Sequence, residues 1–178
     1  MDDVMPRRVR QQGFSLIEVL VTLVVLSVGI MGAVGLQFSA MRANEEALQR
    51  SRATLLAEGM LERIRANATS EGLDVYRGAD LAASTSDAAC DQAAATSSGV
   101  AQYDLCEWRR MLASTTSGGG VGDGLRNAHG CISINGSDVT VAIAWQSTGA
   151  DMAKSACGSS AISVARRDVE LTTTVLSL

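Results

Sequence analysis

An almost unbroken run of apolar residues extends from Phe14 to Phe38, and it is the strongest pattern in the chain. After Glu18 no charged residue appears until Arg42. About twenty apolar residues in a helix span the hydrocarbon core of a bilayer, so this run predicts a membrane helix. Basic residues tend to stay on the cytoplasmic side, which places the N-terminus in the cytoplasm and the later residues outside. The basic residues before the run are Arg7, Arg8 and Arg10.

Residues 39–67 continue the helical pattern but become amphipathic. No proline occurs between Phe14 and Asn67, so one continuous helix is expected. Large apolar residues recur first every seven and then every four positions, which predicts a stripe packed against the rest of the protein. A coiled-coil seam would need more repeats than the chain offers. The stripe comprises Met41, Leu48, Leu55, Leu56, Met60 and Ile64.

The region that follows carries weaker and shorter patterns. Thr69 to Val100 is rich in small and polar residues and predicts an irregular loop. Ala101 to Ser114 regains helical spacing, and Asp104 is expected near the helix start, where its charge complements the helix dipole. Three large apolar residues share one face of this helix, namely Leu105, Trp108 and Leu112.

Alternating apolar and polar positions near the C-terminus predict an antiparallel sheet. Strands are expected at 131–134, at 139–145 and, after a loop at 149–160, from about 162 to 176. Asn135 and Gly136 predict a tight hairpin because both tolerate a positive φ. One face of the sheet is expected to pack on the helix stripe at Leu48, Leu55, Leu56 and Met60. The chain is therefore predicted to have an α+β fold.

The net charge and the aromatic content of the chain limit the partners and the size of the core that can be expected. The formal net charge is −4 and the pI is about 5.0, whereas nucleic-acid binding depends on clusters of Lys and Arg. A nucleic-acid partner is therefore not expected. Aromatic residues make up only 3% of the chain, so the predicted core is thin and covalent cross-links matter.

Four cysteines follow the membrane helix, in an oxidising compartment if the topology is right: Cys90, Cys106, Cys131 and Cys157. They permit three pairings, and the sequence leaves the choice open. Nearest-neighbour pairing would join the first to the second and the third to the fourth, each bond adding about 3 kcal/mol. A zinc site is the alternative, but the chain has no Cys-x-x-Cys pair and only one histidine. Disulfides and no metal are expected.

No group of residues indicates catalysis. His129 stands in a predicted glycine-rich turn and is expected to be a solvated loop residue rather than a base or ligand. Residues 117–124 are rich in glycine, but no strand precedes them and no lysine or helix follows, so a flexible loop is expected rather than a phosphate cradle. The sequence therefore predicts neither an enzyme nor a cofactor.

Glu18 is the anomaly of the membrane run, because an acidic group near the bilayer centre costs about 2.5–3.5 kcal/mol. The stretch Gly13-Phe14-Ser15-Leu16-Ile17-Glu18-Val19-Leu20 resembles the processing signature of type IV prepilins and of type II secretion pseudopilins. The resemblance implies that a prepilin peptidase cleaves between Gly13 and Phe14 and that Phe14 becomes N-methylated. It also implies that Glu18 pairs with the N-terminal amine of a neighbouring subunit during assembly.

Beyond the membrane run the chain resembles the PilV family of minor pilins, also called pilus modification proteins. This resemblance is carried by residues 35–37, 53–60 and 61–67. It implies a type IV pilin-like α+β fold, with a long N-terminal spine helix packed on a small antiparallel sheet. The expected parts are a cleaved leader at 1–13, a membrane and filament-core helix at 14–38, the amphipathic half of the spine helix at 39–67, and a disulfide-tied periplasmic region at 68–178.

The resemblance implies assembly rather than chemistry: a minor pilin that helps to prime the pilus near its tip and so supports adhesion and twitching motility. Expected partners are other minor and major pilins, the prepilin peptidase and the inner-membrane assembly platform. The expected location is the bacterial inner membrane, single-pass with the C-terminal region periplasmic, and then the pilus at the cell surface. Two alternatives stay open: a type II secretion minor pseudopilin of the I type, and a membrane-tethered binding module that does not polymerise.

Overall fold

A four-stranded sheet and three helices make up the described part of the chain. The computed structural model describes residues 13–83, 90, 96–113, 125–147, 153–162 and 165–176. In chain order its elements are α1 (Leu16–Ala66), α2 (Ser70–Tyr76), β1 (Asp80–Ala82), α3 (Ser97–Ala113), β2 (Arg126–Asn135), β3 (Asp138–Gln146) and β4 (Arg166–Thr174). The strands pair in the order β1-β2-β3-β4, and every pair is antiparallel. The predicted α+β architecture is confirmed.

The chain divides into two compact units, Met1–Ala43 and Asn44–Leu178. Within the first unit, the described residues are 13–15 and the N-terminal part of α1, and all of them are exposed. The second unit holds the sheet, α2, α3 and the remaining turns of α1, which share one hydrophobic core. The prediction of an unbroken helix is confirmed, because α1 is continuous over 51 residues.

The face by which α1 joins this core differs from the predicted stripe. Leu48 and Leu55 are exposed by 60% and 64%, and Leu56 is only partly buried. The buried positions follow the spacing of a single helix face, and two of them are alanines whose short side chains let other elements approach closely. They are Ala53, Ala57, Met60, Leu61 and Ile64. Met60 and Ile64 were predicted correctly, whereas the prediction for Met41, Leu48 and Leu55 was wrong.

The segment predicted as an irregular loop from Thr69 to Val100 contains a short helix and a strand. Thr69 caps α2, because its hydroxyl accepts the Gly72 N–H at 3.1 Å. Leu73 and Tyr76 on α2 are buried in the core. Strand β1 follows after residues 77–79 and pairs with β2 at the edge of the sheet. The prediction failed here because a helix of only seven residues, with three large apolar residues, gives almost no periodic signal.

Asp104 lies in the middle of α3 rather than near its start, because α3 already begins at Ser97. It is buried, and its carboxylate accepts hydrogen bonds from the Tyr76 hydroxyl at 2.6 Å and from the Arg63 guanidinium at 3.0 Å. The predicted contribution to the helix dipole is therefore wrong. Asp104 instead joins α3 to α2 and α1. The predicted apolar face of α3 is confirmed, since Trp108 and Leu112 are buried and Leu105 packs against the core.

The hairpin between β2 and β3 is confirmed with a shift of one residue. Asn135 still pairs with Asp138, so the two connecting residues are Gly136 and Ser137. Gly136 has a φ of 63°, as expected of a glycine at the first central position of a two-residue hairpin turn. The predicted inner face of β3 is confirmed, with Val139, Val141, Ile143 and Trp145 all buried.

The last strand begins at Arg166, four residues later than predicted, because the chain before it forms a turn on the outer face of the sheet. Cys157 and Ile162 from this turn cover Ala142 and Ala144 of β3. The sequence pattern could not separate the two possibilities, because Ile162 is apolar whether it belongs to a strand or to a turn that packs on the sheet. The predicted loop at 149–160 is confirmed over residues 153–160, which contain no helix or strand.

Two charged residues of β4 hold this turn in place. The Asp168 carboxylate accepts the N–H groups of Lys154, at 3.0 and 3.1 Å, and of Ser155. The Arg166 guanidinium donates to the carbonyls of Ser155 and Cys157 at 2.8 and 3.1 Å. Burial raises the pKa of Asp168, but hydrogen bonds from Ser155 and Lys154 and the charge of Arg166 outweigh it and hold this pKa below its usual value. The anchor is therefore weakened only when the pH falls below the usual range of a carboxyl.

Candidate assembly site at the N-terminal helix

The predicted cleavage junction lies immediately before α1. Gly13 and Phe14 lie outside regular structure, and Phe14 is 84% exposed. Ser15 makes the transition into the helix, since its carbonyl accepts the N–H of Glu18 at 3.0 Å and that of Val19 at 3.4 Å. The junction is thus an exposed, non-helical segment, which is the conformation that a peptidase can bind. The leader residues 1–12 lie outside the described part of the chain.

Glu18 lies in the first turn of α1 and is exposed. Its negative charge is favourable there, because the first turn of a helix carries unpaired N–H groups and the positive end of the dipole. Among the described residues, the carboxylate forms no side-chain hydrogen bond or ion pair with its own chain. A partner that neutralises Glu18 in an apolar environment would therefore have to come from another molecule or from outside the described residues.

The apolar side chains that follow have no protein covering them. Large apolar residues between Phe14 and Phe38 are exposed by 42% to 84%. By length and composition α1 can cross a membrane, and none of its most apolar window of 18 residues is buried. The hydroxyls in this part are satisfied within the helix, since Thr22 donates to the Val19 carbonyl at 2.8 Å and Ser27 to the Leu23 carbonyl at 2.7 Å. Such a surface is stable only against lipid tails or other apolar helices.

All four cysteines form disulfides in the nearest-neighbour arrangement. Cys90 is bonded to Cys106 and Cys131 to Cys157. The first bond connects Cys90 to α3, and the second connects β2 to the turn on the outer face of the sheet. Of the three pairings that the sequence left open, the structure contains this one.

His129 is not a loop residue as predicted but a residue of β2, and only 14% of its side chain is exposed. Its Nδ1 lies 3.3 Å from the Asp80 carboxylate on β1, so this pair connects the edge strand to its neighbour. Among residues 13–83, 90, 96–113, 125–147, 153–162 and 165–176, no three His, Cys, Asp or Glu side chains converge as a metal site. The glycine-rich segment at 117–124 lies outside the described residues.

Two family models match the chain. Residues 8–34 match the prokaryotic N-terminal methylation motif, and residues 35–106 match a family described as type IV pilin Tt1218. No curated protein and no solved structure matches the chain. The first match contains the junction, Glu18 and most of the apolar run, and the second continues through the rest of α1 to α3. Together with the apolar helix and the four-stranded antiparallel sheet, these matches support a type IV pilin fold and a pilin role.

Proposed function

We propose that this chain is a minor pilin of a type IV pilus, related in function to the PilV family, that takes part in priming and assembling the filament. The observation that carries the proposal is the first unit of the chain. It combines an N-terminal methylation motif, an acidic residue in the first helical turn and an apolar helix that no protein covers.

The proposed mechanism consists of membrane insertion followed by transfer into the filament. The apolar helix holds the precursor in the inner membrane, with the second unit in the periplasm. The prepilin peptidase then cleaves after Gly13, and Phe14 becomes the methylated N-terminus. In the filament the apolar helices pack against one another instead of against lipid. A head-to-tail contact that does not close on itself produces an open helical fibre.

Glu18 has a specific part in this mechanism. In the apolar interior of a filament an unpaired carboxylate is costly, whereas a carboxylate beside the ammonium group of a neighbour's N-terminus is neutralised. This pairing is possible only when the neighbour has the correct axial position. The ion pair would thereby favour one register between subunits.

The assignment as a minor subunit rests on sequence similarity from residue 35 to residue 67. Residues 35–37, 53–60 and 61–67 resemble the PilV family, whose members support adhesion and twitching motility. The type II secretion pseudopilins share the N-terminal motif. A deletion separates the two systems, because we expect it to abolish twitching motility and surface pili while leaving exoprotein secretion intact. Loss of secretion with normal motility would assign the chain to type II secretion instead.

The role of Glu18 is tested by replacing it with alanine or glutamine. We expect either variant to reach the membrane at the normal level but to be recovered from sheared pili at least about tenfold less. The reason is that the buried ammonium group of the neighbour loses its partner, which costs more than about 1.4 kcal/mol. Glu45→Gln is the matched control, because Glu45 is an exposed glutamate of the same helix outside the apolar run. Normal recovery of both Glu18 variants would contradict the proposed role.

A further inference from the structure

Strand β4 is an edge strand of the sheet, so half of its backbone N–H and C=O groups point away from the neighbouring strand β3. At its two ends the ladder with β3 continues, as Ser147 donates to the Ala165 carbonyl and Val175 to the Ser137 carbonyl, each at 2.7 Å. Successive residues of a strand point their N–H and C=O groups to opposite sides. The odd-numbered residues therefore face β3. The residues whose backbone N–H and C=O groups point away from β3 are Arg166, Asp168, Glu170, Thr172 and Thr174.

The first part of this edge carries charged residues, Arg166, Arg167, Asp168 and Glu170, but the part from Leu171 onward lacks the features by which proteins normally block a free strand. The register between β3 and β4 is continuous over nine residues without a bulge, and β4 contains no proline and no lysine. From Leu171 to Val175 the strand is also uncharged. Within the described residues, no backbone hydrogen bond reaches the outward N–H and C=O groups at Glu170, Thr172 or Thr174.

The opposite edge of the sheet is the three-residue strand β1, where the Arg109 guanidinium donates to the outward Ala82 carbonyl at 3.1 Å. Strand β1 pairs with the middle of β2, and Ala83 extends this pairing by donating to the Ala128 carbonyl at 2.8 Å. The Arg77 guanidinium donates to the Ile134 carbonyl, also at 2.8 Å. The first part of β4 carries Arg166 and Asp168, which hold the turn on the outer face. The segment 170–174 is thus the longest part of the sheet edge that is left open among the described residues.

We infer that the segment 170–174 binds an extended segment of a neighbouring pilin subunit, which adds a fifth strand to the sheet. The backbone would provide most of the affinity, as in other cases of β-strand addition. This inference rests on the proposed function, because it requires the chain to lie next to other subunits in a filament.

The partner strand is not expected to be β4 of a second copy. Neighbouring subunits in an open helical filament are related by a rotation and a translation along the fibre, not by a twofold axis. The contact is consequently heterologous, between β4 and a different surface of the neighbour.

The chemistry of the edge indicates what the partner segment contains. Thr172 and Thr174 on the outer face and the partly buried Leu171 on the inner face favour β-branched and apolar side chains opposite them. Glu170 is the exposed charge of the segment and favours a basic residue across from it. The expected partner is therefore an extended stretch of another pilin with a basic residue opposite Glu170 and β-branched or apolar residues opposite Thr172 and Thr174.

Hydrogen exchange tests the inference directly. Amide exchange of the peptide covering β4 is compared between the detergent-solubilised full chain and the same tagged chain in sheared pili. We expect the outward amides at 170–174 to exchange at least about tenfold more slowly in pili, because a hydrogen-bonded amide exchanges only after local opening. The peptide that covers β3, which is paired on both sides, should change little. Unchanged exchange at 170–174 in incorporated protein would overturn the inference.

Two variants at one position separate edge pairing from recognition of the outer face. Thr172→Pro removes an outward N–H but leaves the bonds to β3, so it should fold and yet lower incorporation at least about fivefold. Thr172→Val keeps the N–H and removes only the hydroxyl, which lies 2.9 Å from that of Thr140. We expect normal incorporation of this variant. Equal loss in both variants would indicate binding to the hydroxyl-bearing face and would contradict edge pairing.

The test also distinguishes failure of the inference from failure of the proposed function. If the wild-type chain is absent from sheared pili, the proposed function is wrong. If the chain is present and its β4 amides remain unprotected, the pilin role stands and the strand addition is wrong.

Discussion

Asp104 connects three helices through its two carboxylate oxygens. One accepts from Tyr76 on α2 and the other from Arg63 on α1, while the nearby Trp108 of α3 donates its indole N–H to the Leu56 carbonyl at 3.1 Å. Sequence could not identify this arrangement, because Tyr76 and Arg63 lie 28 and 41 positions away from Asp104. From periodicity alone Asp104 is a polar residue near a helix end.

Removing this carboxylate should destabilise the second unit strongly. Asp104→Ala leaves the Tyr76 hydroxyl and the Arg63 guanidinium without their acceptor, at an expected cost of about 2–4 kcal/mol. Asp74→Ala is the control, because Asp74 forms an exposed ion pair with Arg77 at 3.6 Å and its loss should cost less than about 0.5 kcal/mol. Denaturant unfolding followed by tryptophan fluorescence measures both. Equal free energies of unfolding for the two variants would show that the hydrogen bonds to Asp104 contribute nothing to stability.

The hydrogen bond between Tyr76 and Asp104 also makes the stability of the second unit decrease at alkaline pH. Burial and the hydrogen bond to Asp104 raise the pKa of Tyr76 well above its ordinary value of about 10. The folded state therefore favours the neutral phenol, so this contribution is complete below about pH 10 and decreases as the pH rises further. We expect the Tm of the wild type to fall more steeply above about pH 10 than that of Tyr76→Phe. Parallel Tm curves would contradict this assignment.

At the scale of elements, the sequence predicted best where the side chains alternate in size and polarity. Val139, Val141 and Ile143 identified the inner face of β3 because a strand repeats every two residues. The packed face of α1 was predicted less well, because the close contact is made by Ala53 and Ala57, which a search for large apolar residues overlooks. Strand β1, with three residues, exists only through its pairing with β2 and leaves no pattern of its own.

Two glycines give a contrasting pair of predictions for how these elements pack. A Cβ at Gly130 of β2 would lie 2.5 Å from the Trp108 ring and 2.8 Å from Leu112, so Gly130→Ala should cost about 1–3 kcal/mol. A Cβ at Gly59 of α1 would meet no atom within 4 Å, so Gly59→Ala should add about 0.5–1 kcal/mol by its higher helix propensity. Thermal unfolding of the two variants should therefore shift Tm in opposite directions. A Tm of Gly130→Ala that does not fall would show that α3 does not rest on β2 as described, and a lowered Tm of Gly59→Ala would contradict the open surface at Gly59.

At the scale of the whole molecule, the two units have opposite requirements for their surroundings. The described residues of the first unit expose their apolar side chains, whereas the second unit buries its own around a shared core and is cross-linked by two disulfides. The sequence could predict the first unit because its signal is local: a basic leader, a processing motif, one acid and a long apolar run follow in order. The second unit depends on contacts between distant residues, so its class, the apolar face of α3 and the strands β2 to β4 were accessible, whereas α2 and β1 were not.

The central claim is that the chain is processed at Gly13 and then incorporated into a filament. Mass spectrometry of the N-terminal peptide from sheared surface filaments tests both steps at once. The expected result is a peptide that begins at Phe14 and carries one methyl group on its amine. A functional protein that still begins at Met1 with its arginine-containing leader, or that is absent from the filaments, would contradict the account.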